Sequence, residues 1–227
     1  MKFSILPILI ASVFAFPFLM SLRTRKRQLI DQKEAQSIHL LLLAFGLWTG
    51  LSIYMGVHGL HVSLMAHVPL LWQATVVVII LAAAFSISPV LRRGLFAVAV
   101  GTPQHWLVLF QGLRIGAIGS VLKVLQGEIT SAFPLVVGIP DFLFGVSALV
   151  LGWLMRRRTV SKRLLLTWNL IGIAIILVPL FSIMPYWMRE PGFEFIFEYP
   201  MVMAPSIVVP IFISLNGLMA WSIWKDG

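Results

Sequence analysis

Seven long apolar stretches dominate the hydrophobic pattern of the chain, at about residues 3–22, 38–55, 68–87, 105–125, 133–155, 164–183 and 201–224. The interruptions between them are short and hold nearly all of the charge. A helix needs about 20 apolar residues to cross a hydrocarbon core ~30 Å thick, so each stretch predicts one transmembrane helix. The expected fold is all-α, a polytopic helical bundle of about seven spans that forms a single domain over residues 1–227 and leaves no room for a soluble one. The first stretch has one lysine before it, as a signal peptide would. It is nearly 20 residues long, however, and runs into Arg23, Arg25, Lys26 and Arg27 instead of a small-residue cleavage site, so it reads as span 1. Pro7 and Pro17 are then tolerated kinks within it.

Composition agrees with the pattern. Hydrophobic residues make up 59% of the chain and charged residues 11%, with a mean hydropathy of +0.98, far from the roughly 25% charge of soluble domains. Zero cysteines exclude disulfides, thiolate metal sites and a cysteine nucleophile. The net charge of +9 raises nucleic acid as a partner, but the basic residues sit in particular loops, and that placement points to topology. Counted by alternate loops, Lys and Arg number 13 on one side (positions 23–33, 92–93, 156–163 and 225) against 3 on the other (Lys2, Lys123 and Arg189). Positively charged loops stay in the cytoplasm, so the N-terminus is expected outside and the C-terminus in the cytoplasm. Trp106, Trp153, Trp168, Trp221 and Trp224 fall near the predicted cytoplasmic ends, where an aromatic belt belongs. The lipid bilayer is the expected partner, and nucleic acid is not.

Two ionised residues interrupt the apolar stretches. Arg114 lies in the middle of span 4 and Asp141 in the middle of span 5, and a charge at such depth costs several kcal/mol unless it meets protein or water. At 100° per residue, Gln104, Leu107, Gln111, Arg114 and Ile118 share one face of span 4, while Gly112, Gly116 and Ser120 form a small-residue ridge on another. Gly138, Gly145 and Gly152 repeat every seven residues along span 5 with Asp141 near the same line, which turns the carboxylate toward a close helix neighbour. Measured from the outer ends, Arg114 lies about 16 Å deep and Asp141 about 12 Å at 1.5 Å per residue, a difference that an arginine side chain spans. The expectation is a buried Arg114–Asp141 ion pair with Gln111 as a further polar contact. Pro140 removes one helical hydrogen bond, so span 5 is expected to break there, with Asp141 capping its second half.

Gln111-x-x-Arg114 followed by Gly116, then Phe133-Pro134, then Gly138-x-Pro140-Asp141 and Gly145, resembles a widespread set of uncharacterised bacterial seven-span membrane proteins. Pro205 and Pro210 make the last span similar to theirs. The likeness covers about Pro103 to Trp224. It departs from the pattern at Pro140, where glycine is expected, and at Asn216, where histidine is expected. It implies the seven-span architecture and a bacterial inner membrane location, and it implies nothing about chemistry.

A competing site lies on the predicted outer face. His58, His61 and His67, with Glu190, Glu194 and Glu198 from the 6/7 loop, carry ligand types that suit a transition metal, although no segment has the His-Glu-x-x-His spacing. A haem through His39 or His58 ranks lower still, since a lone histidine is more often a polar contact, and no cofactor is expected. The chain has no Gly-x-Ser-x-Gly elbow, phosphate-binding loop or dinucleotide fingerprint, and no lysine between Met201 and Trp224 to form a retinal Schiff base. Three readings remain open. The first is small-solute or ion binding and transport at Arg114, Asp141 and Gln111. The second is a non-catalytic accessory or assembly subunit, partnered by other membrane subunits, in which the pair only fixes two helices. The third is a membrane-embedded enzyme using the outer histidines and carboxylates, and it ranks last.

Overall fold

The computed structural model describes residues 5–65, 72–182, 184–187, 189 and 192–225. Two residues of the expected outer metal site, His67 and Glu190, lie outside the described residues. Among the described residues the fold is all-helical, without strands. Six helices are long and apolar enough to cross a membrane, at Leu6–Lys26, Gln32–Val57, Gln104–Leu125, Phe133–Arg157, Lys162–Ser182 and Ala204–Lys225. A seventh span exists if Thr75–Ile87 and Pro89–Gly101, which meet at 107°, count as one broken span.

Helix α1 (Leu6–Lys26) carries Pro17 without interruption. Helix α2 (Gln32–Val57) starts at a capping box: the Asp31 carboxylate accepts from the Glu34 N–H at 2.8 Å, and the Glu34 carboxylate accepts from the Asp31 N–H at 3.0 Å. This satisfies two of the donors that every helix start leaves open. After the short α3 (Leu60–Met65), α4 (Trp72–Ile87) ends at Ser88. Residues 88–104, which fall between the apolar stretches and are expected as a loop, instead contain α5 (Pro89–Gly101). The reason is local. Proline at the first helical position disfavours α geometry in the residue before it, and the Ser88 hydroxyl caps the new helix by accepting from the Leu91 N–H at 3.1 Å.

Helix α5 packs against the ends of α1 and α2. A Cβ on Gly94 would meet Glu34 and Ile38, and one on Gly101 would meet Thr24 and Leu29, while Arg93 Nε lies 3.4 Å from Glu34 Oε1. Arg23 stacks over Trp106 at the start of span 4 at 4.3 Å, and Lys225 lies over Phe96 and Trp221. The basic segments at 23–33, 92–93 and 225 are therefore drawn to one end of the bundle.

Span 4 is not one regular helix. It runs as α6 (Gln104–Phe110), a tighter 3-10 segment (Gln111–Ala117) and α7 (Ile118–Leu125). The break expected at Pro140 does not occur, and α8 (Phe133–Arg157) continues through it. Helix α9 (Lys162–Ser182) follows, then α10 (Met184–Trp187) and a 3-10 turn (Phe193–Phe197) whose Phe193 and Phe197 are fully buried. The last span opens with a wide π-helical segment (Ala204–Val208) and continues as α11 (Val209–Lys225). This span is the most enclosed, with 56% of its apolar window buried against 39% for span 4. It joins two cores, one containing Val13, Val77, Val202 and Ile207 and the other Val108, Phe144, Ala148, Leu165 and Met219. Outward-facing leucines such as Leu40, Leu43 and Leu47 remain exposed, as a lipid-immersed surface requires.

Candidate functional site

Three glycines bring α8 against span 4. A Cβ on Gly152 would meet Leu109, one on Gly138 would meet Val121 and the Ala117 carbonyl, and one on Gly145 would lie 2.5 Å from the Ile115 nitrogen. The two helices run antiparallel, and their backbones meet most closely at Gly145, where a side chain of any size is excluded. On this line the seven-residue glycine spacing read from the sequence holds. The small-residue ridge on span 4 does not. Gly112 faces Leu149 of α8, whereas Gly116 faces Leu9 and Ile5 of α1. In an α-helix residues four apart lie 40° from each other, but at three residues per turn they lie about 120° apart. The 3-10 segment thus turns the two glycines toward different neighbours.

The same winding aims Arg114 between α8 and α9. Its side chain is fully buried, and its Nε and Nη2 both lie 2.5 Å from Asp141 Oδ1. Nη1 and Nη2 donate to the Gly172 carbonyl of α9 at 3.2 and 3.1 Å. The guanidinium carbon lies 4.2 Å from the centre of the Phe144 ring, which itself stacks on Trp168 at 4.4 Å. A carboxylate, a carbonyl and an aromatic face therefore surround one cation, each favouring its charged form. The Asp141 side chain retains 14% exposure.

Gln111 is fully buried but is hydrogen-bonded to neither member of the pair. Its Nε2 donates to the Phe212 carbonyl of α11 at 3.3 Å. Close by stand two asparagines outside the expected set of Arg114, Asp141 and Gln111. Asn216 of α11 lies against Gly172, where an added Cβ would come within 2.6 Å of its Nδ2. Asn169 lies one turn before Gly172 on the buried face of α9 and donates to the Leu165 carbonyl at 2.8 Å. Both are fully buried. Gln111 Oε1, Asn169 Oδ1 and both amide atoms of Asn216 have no hydrogen-bond partner among the described residues. Each such atom costs about 1–3 kcal/mol when buried without a partner. Polar residues inside apolar spans were the signal available for both asparagines. Phe144, three residues after Asp141 and so on its face, could be found by helical spacing.

The outer histidines separate. His58 is exposed and its Nδ1 lies 2.8 Å from the Tyr54 carbonyl. His61 is buried, with Nε2 3.0 Å from the Ser52 carbonyl and 3.1 Å from its hydroxyl. Ser52 also bonds Ser206 in the π-helical segment at 2.5 Å, and Trp48 donates to the Ser206 carbonyl at 3.0 Å. His39 pairs with Ser21 of α1 at 2.8 Å. Among the described residues no three histidines, aspartates or glutamates gather as a metal site, Glu194 and Glu198 included. Burial pushes the His61 imidazole below its ordinary pKa, opposed in part by its bond to the Ser52 backbone.

A family model described as Domain of unknown function (DUF8737) matches residues 67–223, more than half of the chain. The chain belongs to the DUF8737 family. The DUF8737 match takes in every residue of the polar layer, from Gln111 to Asn216, and leaves α1 and α2 outside. No curated protein and no solved structure matches the chain.

Proposed function

We propose that this protein binds a small polar solute or ion inside the membrane and passes it across, using the layer formed by Arg114, Asp141, Gln111, Asn169 and Asn216. The observation that carries this reading is the surplus of buried amide groups around an already neutralised ion pair. Two helices can be fastened by Arg114 and Asp141 alone. The four unpartnered amide atoms beside them add nothing to that fastening and are costly unless a guest meets them. Intramembrane ionisable groups commonly mark substrate or ion pathways. We place the protein in the bacterial inner membrane with its N-terminus outside and its basic loops in the cytoplasm, in agreement with the loop charge count.

Proteoliposomes test the proposal with two probes, proton flux read by an entrapped pH dye and osmotic swelling in urea or glycerol. Wild-type protein should raise at least one of these above empty vesicles, and Asn216→Leu and Asp141→Asn should abolish it while remaining folded by circular dichroism. Variants that conduct as wild type does would overturn the assignment of the layer. The absence of native cysteine makes orientation equally accessible, because Thr159→Cys should label only from the cytoplasm and Glu194→Cys only from outside. The second reading, an accessory subunit of a membrane complex, draws support from the complete enclosure of Arg114. It predicts co-purification of larger subunits from native membranes and no flux in the pure protein.

A further inference from the structure

At the junction of α8 and α9 the chain carries three consecutive arginines, Arg156, Arg157 and Arg158, all exposed, with Lys162 and Arg163 just beyond. The arginines line an open cleft of about 470 Å³ together with Thr159 and Gln104. Directly beside it, an apolar groove of about 390 Å³ runs between α8 and α9, lined by Leu143, Val146, Val150 and Leu154 on one helix and Leu164 and Trp168 on the other. The two are neighbours in the chain at both walls. Leu154 and Leu164 belong to the groove, and the next residues, Met155 and Leu165, belong to the cleft. From Leu143 to Leu154 the groove extends about 16 Å at 1.5 Å per residue, close to one leaflet of a ~30 Å hydrocarbon core. Trp153, just before this junction, is half exposed with the Arg157 guanidinium 4.3 Å over its ring, as an aromatic side chain at the membrane–water interface would be.

We infer that this junction holds one anionic phospholipid, its phosphate in the arginine cleft and an acyl chain in the groove. Guanidinium groups match phosphate oxygens in pairs, and the groove supplies a one-leaflet apolar surface next to them. A purely topological role for these arginines depends on their charge alone and makes no use of the groove. The lipid site depends on guanidinium shape and on an open groove, so it is separable by substitutions that keep every charge.

The test uses the purified full-length protein in a neutral detergent. Native mass spectrometry would follow retained phosphatidylglycerol against phosphatidylcholine, with glycerol phosphate as the free headgroup. The expected result is a single retained phosphatidylglycerol, preferred about tenfold or more over phosphatidylcholine, and glycerol phosphate that fails to displace it at equal concentration. Arg158→Gln should weaken retention about fivefold. The triple variant Arg156→Lys, Arg157→Lys and Arg158→Lys should reduce the preference by at least about threefold although its charge is unchanged. Val150→Trp, at an exposed position that faces the groove, should remove the retained lipid with the arginines intact, and Leu143→Trp provides the same test from the far end if Val150→Trp does not fold. Equal retention of the two lipids would overturn the inference. So would glycerol phosphate competing as well as the whole lipid, or groove-filled and lysine variants behaving as wild type.

Discussion

Replacing Asp141 by asparagine preserves shape and removes one charge, leaving the Arg114 guanidinium buried without a counter-ion. Breaking a buried pair from one side costs about 3–5 kcal/mol. Here part of that loss is offset, because Nη1 and Nη2 keep their bonds to the Gly172 carbonyl and the cation keeps the Phe144 face, a contact worth about 2 kcal/mol when desolvated. The expected cost is therefore near the lower end, about 3 kcal/mol. Arg114→Met gives up the same pair from the other side and the ring contact with it, also for about 3 kcal/mol. The double variant buries no charge and should lose only about 2 to 3 kcal/mol in total, a coupling of about 3 to 4 kcal/mol between the two positions. Reversible unfolding in mixed micelles, followed by tryptophan fluorescence, measures all four proteins. At about 2–4 °C per kcal/mol for a chain of this size, Asp141→Asn should melt about 6–12 °C below wild type. If the two single losses add to the double loss within about 0.5 kcal/mol, the groups do not share a buried field and the reasoning about this site fails.

Two further predictions follow from backbone proximity and from titration. Gly145→Ala should cost about 3 kcal/mol, because the added methyl meets the backbone of Arg114 and Ile115 and must push the helices apart. Gly112→Ala should cost less than about 1 kcal/mol, because its close contacts are with the Leu149 side chain, which is 44% exposed and can move, and the Gly145 carbonyl is at ordinary contact distance, 3.8 Å; the same unfolding assay orders the two, and equal losses would contradict the close approach at Gly145. For His61 the folded-state pKa lies below the ordinary value of about 6.5, so the unfolded chain binds more protons as pH drops past 6.5. Stability is then complete above that pH and is lost below it, down through the folded-state pKa, by at most about 1.4 kcal/mol per pH unit. Melting curves at pH 8, 6.5 and 5 should show this decline in wild type and a shallower one in His61→Asn.

Much of the fold was legible because lipid imposes strict patterns. Apolar runs of span length, basic interruptions and polar residues stranded inside the runs each state a physical requirement that needs no tertiary knowledge, and the contact between Arg114 and Asp141 follows from such requirements. The bend at Ser88 was also written in the chain, since serine before proline is a helix-start signal, yet the arginines three and four residues after Pro89 made the segment look like an ordinary loop. The polar layer was harder to read. Asn169 and Asn216 are uncharged, and their sequence positions do not reveal that both lie beside Gly172. The histidines were harder still, because spacing within one loop cannot tell that His58 faces outward while His61 turns in to Ser52.

The irregular helix segments show why uniform α geometry fails where it does. The proline in α8 pointed to a break at residue 140, but Val136, whose carbonyl loses its helical partner there, is exposed on the outer surface. A break facing lipid would leave backbone groups with no partner at all, so the helix continues. Departures from α geometry occur instead at Gln111–Ala117 and Ala204–Val208, and none of the residues in either segment is exposed. Each lies beside polar side chains that bond backbone carbonyls, Arg114 to Gly172 and Gln111 to Phe212 in one case, Trp48 to Ser206 in the other. Among the described residues, these two irregular stretches of span 4 and the last span are enclosed by protein and stand beside two buried polar clusters. By that argument the winding of span 4 and the chemistry of Arg114 are one feature: Gly145 admits the backbone of Arg114 and Ile115, the tighter winding turns Arg114 into the α8–α9 interface, and the buried carboxylate and carbonyl there hold it.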